Sequence, residues 1–200
     1  MAKRKGRKLP EVLTEKEQEA LLAQPNPRYP TGQRNQTMLR IMLDTGLRVS
    51  EACALRWKDI DFTTGQLMVR QGKGAKDRTL WIGDVDLAML QSWRERQTRD
   101  VAGKPAHVFT TLEGNPVSRR YVEAMVERYG VKAGIGKHVH PHMLRHSFAT
   151  DLYRQTTDLL TTSKALGHSR VATTEIYTHL VDKDVETAMR SFRQPAPVAA

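Results

Sequence analysis

"DIDFTTGQLMVRQGKGAKDRTLWIG", residues 59–83, interrupts a chain that elsewhere reads as helix. It holds three short β-type runs, "DIDF" (59–62), "QLMVRQ" (66–71) and "RTLWIG" (78–83), joined by "TTG" and "GKGAKD". Short runs punctuated by glycine and aspartate predict strands joined by hairpin turns. The expected result is a small three-stranded antiparallel sheet inside a mainly α chain, an α+β class.

On either side the apolar period is helical. Before the insertion, "PEVLTEKEQEALLAQ" (10–24) offers Thr14 as N-cap with Glu17 three residues on, the capping-box spacing. "PNPRYPTG" (25–32) reads as loop. "RNQTMLRIMLDTG" (34–46) follows, with Met38, Leu39, Met42 and Leu43 at helical spacing and Gly46 as its stop. "RVSEACALRW" (48–57) is a second short helix. After the insertion come helices over 84–99 and 118–134. Three close-packed segments follow, over 142–155, 158–167 and 171–180, and then an amphipathic piece, 181–193. Residues 1–9 form a basic flexible arm and 194–200 a flexible tail. No internal repeat is visible.

Composition narrows the class. The 200 residues carry 32 Lys and Arg against 22 Asp and Glu, a net charge of +10. Such an excess favours a polyanionic partner, nucleic acid before membrane, because neutralised phosphates release their counterions. The arm residues Lys3, Arg4, Lys5, Arg7 and Lys8, with Lys76 and Arg78 near the hairpin, are the expected DNA contacts. No apolar run approaches the roughly 18–20 residues of a membrane span. The N-terminus lacks the apolar stretch of a secretory signal. The single cysteine, Cys53, excludes an internal disulfide and suits the cytoplasm.

The chemistry-bearing stretch is "HPHMLRHSFATDL", residues 140–152. On a helix, at about 100° per residue, Leu144, Phe148 and Leu152 form an apolar stripe, with His142 and Arg145 along one rim. A guanidinium grips two phosphate oxygens at once, and an imidazole exchanges a proton near neutrality. A surface turn rich in histidine is the plain alternative. His138, His140, His142 and His146 include an i, i+4 pair that could bind zinc, but no cysteine or carboxylate lies close in sequence and Arg145 would repel the ion, so no metal is expected. Elsewhere, Arg48 opens a helix with Glu51 one turn on, able to orient it. Lys73 sits in the glycine-flanked hairpin. His168 follows a helix-stopping glycine, and Tyr177 comes nine residues later. Taken singly, each of these has a structural reading as a surface pair, a turn lysine or the edge of a core.

In this order the six positions Arg48, Lys73, His142, Arg145, His168 and Tyr177 resemble the tyrosine recombinase (phage integrase) family. "TGLRVSE", "GKGAK", "PHMLRHSFAT" and "LGHS…TTEIYTHL" carry the resemblance, which spans about residues 10–185 and is Xer-like in pattern. It implies that residues 10–182 are a recombinase catalytic domain acting on double-stranded DNA without metal, ATP or other cofactor. Tyr177 would attack the scissile phosphate to form a 3′-phosphotyrosyl link. Arg48 and Arg145 would clamp the phosphate, and His168 would bond one of its oxygens. His142 would accept the phenol proton, and a hairpin lysine would protonate the leaving 5′-oxygen. Lys73 is preferred to Lys76 because it matches the first lysine of the family's turn, and His142 to His140 because only His142 has Arg145 at the required spacing.

The resemblance further implies a homotetramer on two DNA sites, with 183–193 passed to a neighbouring subunit or packed in cis. An accessory DNA-bending or directionality protein belongs to the same expectation. Most family members carry a further N-terminal domain. This chain resembles in length the fimbrial phase-switch enzymes, and either a minimal recombinase or a catalytic fragment fits that length. Two other readings stay open: type IB topoisomerase-like relaxation, and a non-catalytic helix-turn-helix regulator built on residues 34–57.

Overall fold

The computed structural model describes residues 10–70, 77–101, 103–168, 173–178 and 181. In chain order the elements are α1 (Glu15–Leu22), α2 (Pro30–Thr45), α3 (Val49–Ala54), a 3₁₀ turn (Trp57–Asp59), β1 (Gln66–Val69), β2 (Arg78–Trp81), α4 (Asp84–Asp100), α5 (Arg119–Lys132), α6 (Pro141–Thr156) and α7 (Leu159–Leu166). The basic arm, Lys73, Lys76 and the segment 183–193 lie outside the described residues.

Helix α2 is the axis. Its buried residues include Arg34, Asn35, Met38, Leu39, Ile41, Met42 and Leu43, which together occupy most of its circumference. A helix apolar on so many sides must be enclosed, and α4, α6, α1 and α3 all pack against it. The helix-turn-helix reading is not favoured, because α3, the helix that would enter the groove of a duplex, has only six residues and packs against α2 and α5. Helix α2 also starts earlier than its apolar period indicates. Pro30 occupies the first helical turn, where its missing N–H costs nothing, so part of the expected loop is helical.

The capping box at α1 forms as expected: the Thr14 hydroxyl accepts from Glu17 N at 3.3 Å, and Glu17 Oε2 accepts from Thr14 N at 2.8 Å. Arg34 is 3% exposed yet satisfied. It donates to the Thr110 carbonyl at 2.7 Å and to Asn35 Oδ1, and its guanidinium also meets the Tyr121 hydroxyl, which ties α2 to α5 and to the loop before it. In α4, the fully buried Trp93 indole N–H donates to the Val108 carbonyl at 2.7 Å.

The sheet differs from expectation. Among the described residues it has two strands, paired antiparallel with Gln66 opposite Trp81 and Val69 opposite Arg78. The "DIDF" run contributes only a single bridge, Ile60 to Leu67. The reason is local. Asp61 closes a turn at once, its side chain accepting from Thr63 N at 2.8 Å and its carbonyl from Gly65 N at 2.9 Å. Asp59, meanwhile, is drawn into the 3₁₀ turn. Aspartate bonding to the backbone two residues on competes with strand extension.

Three chain reversals place the functional segments together. Gly46 ends α2 in the left-handed region (φ 61°), with the Phe148 ring of α6 against it. Gly167 ends α7 in the same way (φ 64°). Pro141 starts α6 immediately after His140. A Gly46→Ala substitution should therefore cost about 1–3 kcal/mol, since its Cβ would stand 2.3 Å from the Phe148 ring on a backbone that L-residues avoid. Urea denaturation should show a lower midpoint at unchanged slope.

Candidate functional site

The site is built around Arg145. It lies on α6, 4% exposed, deeper than the rim that helical spacing predicts. Its Nη1 donates to the Gly46 carbonyl and its Nη2 to the Leu166 carbonyl, both at 2.6 Å. One guanidinium thus joins the ends of α2 and α7 to α6. Burial, together with the neighbouring Arg48 and Arg78, pulls its pKa down to about 10, so it stays charged at neutrality.

Arg48 stands two residues beyond Gly46, at the start of α3. Its backbone N–H donates to Glu51 Oε2 at 2.8 Å, and its Nη1 to Glu51 Oε1 at 2.9 Å. Glu51 also receives Arg78 of β2 bidentately, Nη1 to Oε1 and Nη2 to Oε2, each 2.9 Å. Burial alone would raise the Glu51 pKa. Arg78, the Arg48 backbone N–H and the Arg48 side chain outweigh it and hold the carboxyl at about 2. The expected orienting role of Glu51 toward Arg48 matches this geometry. Arg78 is where expectation and structure part. Its side chain is 8% exposed and turned inward, and its Nε donates to the Ala165 carbonyl at 2.9 Å. Its guanidinium is thus engaged within the protein, while the residue also lines the groove beside the site.

His168 follows Gly167, and its Nδ1 meets the Thr174 hydroxyl at 3.0 Å. Burial, then the positive charge of Arg145, Arg48 and Arg78, lowers its pKa to about 4. Tyr177 lies in a helical turn over 176–178 and is 1% exposed, packed with Ala149, Leu166, Phe148 and Ile176. Its hydroxyl meets His146 Nδ1 at 2.9 Å. Burial raises the phenol pKa against the opposing pull of Arg145. His146, lowered to about 4 by burial and by His142 and Arg145, is neutral and able to accept the phenol proton. The imidazole in contact with Tyr177 is thus His146, not His142. The i, i+4 spacing places His142 one turn away on the same face. His142 is exposed, with its ring against His140 at 6.5 Å. His146 could have been found from that spacing, since it repeats His142 one turn deeper.

The groove beside these residues has a volume of about 1390 Å³. Arg48, His168, Lys164 and Thr173 line it, with Trp81 and Phe148 as its apolar walls. Among the described residues no group of three or more His, Cys, Asp or Glu could hold a metal ion. Likewise no helix among them is long and apolar enough to cross a membrane. Lys73 and Lys76, between the two strands, lie outside the described residues.

Arginines, a carboxylate, half-buried histidines and a buried tyrosine are thus drawn together from separate segments. Comparison with known proteins agrees in family. The phage integrase family model matches residues 11–184. The chain belongs to the phage integrase family. It is 42% identical over 174 residues to the tyrosine recombinase XerC of Xanthomonas axonopodis pv. citri, covering 87% of this chain and 55% of that protein. It is 36% identical over 192 residues to the tyrosine recombinase XerD of Staphylococcus saprophyticus, covering 95% of this chain and 65% of that one. The chain thus spans between about half and two thirds of the length of these relatives. Among solved structures, XerH recombinase in a post-cleavage complex with its difH substrate superposes with a TM-score of 0.81 at 30% identity, covering 96% of this chain and 56% of that one. XerA recombinase superposes with a TM-score of 0.79 at 32% identity, covering 94% and 67%.

The two half-buried histidines, His146 and His168, make stability depend on pH. Each has a folded pKa of about 4 against an ordinary 6.5, so the folded chain binds fewer protons than the unfolded chain between those values. Their contribution is complete above about pH 6.5 and is lost as pH falls toward 4. Urea midpoints measured from pH 7 to 4 should fall across that window, and a His146→Asn substitution should flatten part of the fall.

Proposed function

We propose that this chain is the catalytic part of a site-specific DNA recombinase that cuts and rejoins strands through a tyrosine ester. The observation that carries the reading is the convergence of Arg48, Arg145, His168 and Tyr177 from segments as far apart in sequence as residues 48 and 177: Arg48 and His168 line the groove, Arg145 bonds the helix ends they follow, and Tyr177 packs with Leu166 behind them.

In this mechanism Arg48 and Arg145 bind the non-bridging oxygens of the scissile phosphate and stabilise the charge that builds in the pentacoordinate transition state. The Tyr177 oxygen attacks phosphorus, forming the O–P bond while the bond to the 5′-oxygen breaks. The phenol proton has two acceptors one turn apart on α6, His146 at the resting position and His142 at the exposed end. Lys73, on the hairpin, protonates the departing oxygen, and His168 donates to a phosphate oxygen. Attack by a different 5′-hydroxyl then reverses the step and exchanges strands. Because the ester bond energy is kept in the phosphotyrosyl link, the chemistry needs neither ATP nor a metal. Since Tyr177 is covered in this conformation, DNA binding must accompany its release toward the groove.

The partner is double-stranded DNA, held in part by the basic arm. The working assembly is a homotetramer on two duplexes in the cytoplasm, with 183–193 exchanged between subunits. Strand exchange rather than simple relaxation is favoured by the 42% identity to a tyrosine recombinase over 87% of the chain.

Incubation with nicked suicide duplexes built from DNA flanking the gene should trap a covalent adduct, and mass spectrometry should locate it at Tyr177. Tyr177→Phe should bind the same duplex and form none; an adduct in that variant would refute the nucleophile. Plasmid lacking the recognition site should remain supercoiled, whereas its relaxation would support topoisomerase chemistry instead.

A further inference from the structure

We infer that Arg78 is a positioning residue for the phosphate cradle, fixing the direction of Arg48 through Glu51 and the placement of His168 through the end of α7. This rests on the reading of the groove as a phosphate site. Arg78 acts in this inference through Glu51 and Ala165 rather than by a phosphate contact of its own, although it lines the same groove.

The geometry is that of a brace. Two of the Arg78 nitrogens, Nη1 and Nη2, take both oxygens of Glu51, and the third, Nε, takes the Ala165 carbonyl. Each Glu51 oxygen therefore accepts twice, once from Arg78 and once from Arg48. A carboxylate engaged at four points cannot rotate, so the Arg48 side chain is presented in one orientation. On the other side, Ala165 and Leu166 are consecutive, and their carbonyls are taken by Arg78 and Arg145 respectively. The C-terminal end of α7 is thus held by two guanidiniums, whose charge also suits the negative end of the helix dipole. Gly167 and His168 leave from that held end.

Charge alone would not explain the residue. A lysine could neutralise Glu51 or bond Ala165, but a point ammonium cannot span both with a planar fork. The structure therefore predicts that shape, not charge, is what this position requires. The brace also belongs to β2, so the strand carrying the far side of the hairpin is joined to α3 and α7 by a single side chain.

The test compares wild type with Arg78→Lys, which keeps the charge, and with Glu51→Gln alone and combined with it. Three quantities are read: DNA affinity against salt, the single-turnover rate of adduct formation at saturating DNA, and the NMR titration of His168 in the DNA-free full chain. Positioning predicts a rate loss of about tenfold to a hundredfold, with DNA affinity within about threefold and an unchanged salt slope. The His168 pKa should rise by about one unit as the α7 end loosens and water reaches the ring. The double variant should lose little more than the worse single one, because both act on one unit. A titration and a rate both matching wild type would overturn the inference. So would weakened DNA binding with a salt slope reduced by about one at an unchanged rate, since that is the signature of a direct phosphate contact. If wild type forms no adduct on any duplex while Arg78→Lys still moves the His168 titration, the recombinase reading fails and the brace stands.

Discussion

A guanidinium buried to 4% exposure must be given acceptors or the chain will not fold around it. Arg145 finds them in the carbonyls of Gly46 and Leu166, each the last or nearly the last residue of a helix turn whose carbonyls lack helical partners. Every other part of the site is measured from these bonds. Arg48 comes two residues after Gly46, and His168 comes two residues after Leu166. His142 and His146 share a helix with Arg145. Removing the guanidinium would leave two helix ends without their common tie, and the groups that follow them would lose their shared frame.

The cradle is also unbalanced in charge by design of its contacts. One carboxylate, Glu51, serves Arg48 and Arg78, while Arg145 is met by neutral carbonyls. Arg48, Arg78 and Lys164 line the groove together with Asp44 and Asp77, so cations exceed carboxylates there by one. In the proposed reading a phosphate supplies the balancing anion. This is why the residues gathered here suit a phosphodiester better than a carboxylate-rich metal site. Burial first, and the neighbouring cations after it, hold the nearby histidines neutral.

Much of this was legible before any coordinates. The ordered set from Arg48 to Tyr177 was readable because its members sit in short, distinctive local contexts, such as the glycine before His168 and the histidine three before Arg145. The helices were readable from their apolar period, and the α1 cap from Thr14 and Glu17. What failed to show was of another kind. Strand length in "DIDF" depends on whether Asp61 bonds to its own backbone, which period-2 alternation does not record. Arg78 looks like any basic residue near a turn until Glu51 and Ala165 are seen to meet it from 27 and 87 residues away. The Tyr177–His146 contact spans 31 residues and depends on how α6, α7 and the following turn pack. Long-range partners of polar side chains were the part that sequence spacing could not express.

Arg145 and the two half-buried histidines beside the groove do not titrate in the ordinary working range. His146 and His168 lose their protons near 4, and Arg145 keeps its own to about 10. Across the interval between, those three groups keep one charge state, while Asp44, which lines the groove, titrates at about 6 and adds negative charge as the pH rises through that value. In the proposed mechanism, an inflection of the activity profile near 6 would then report Asp44 rather than the loss of a cation from the cradle.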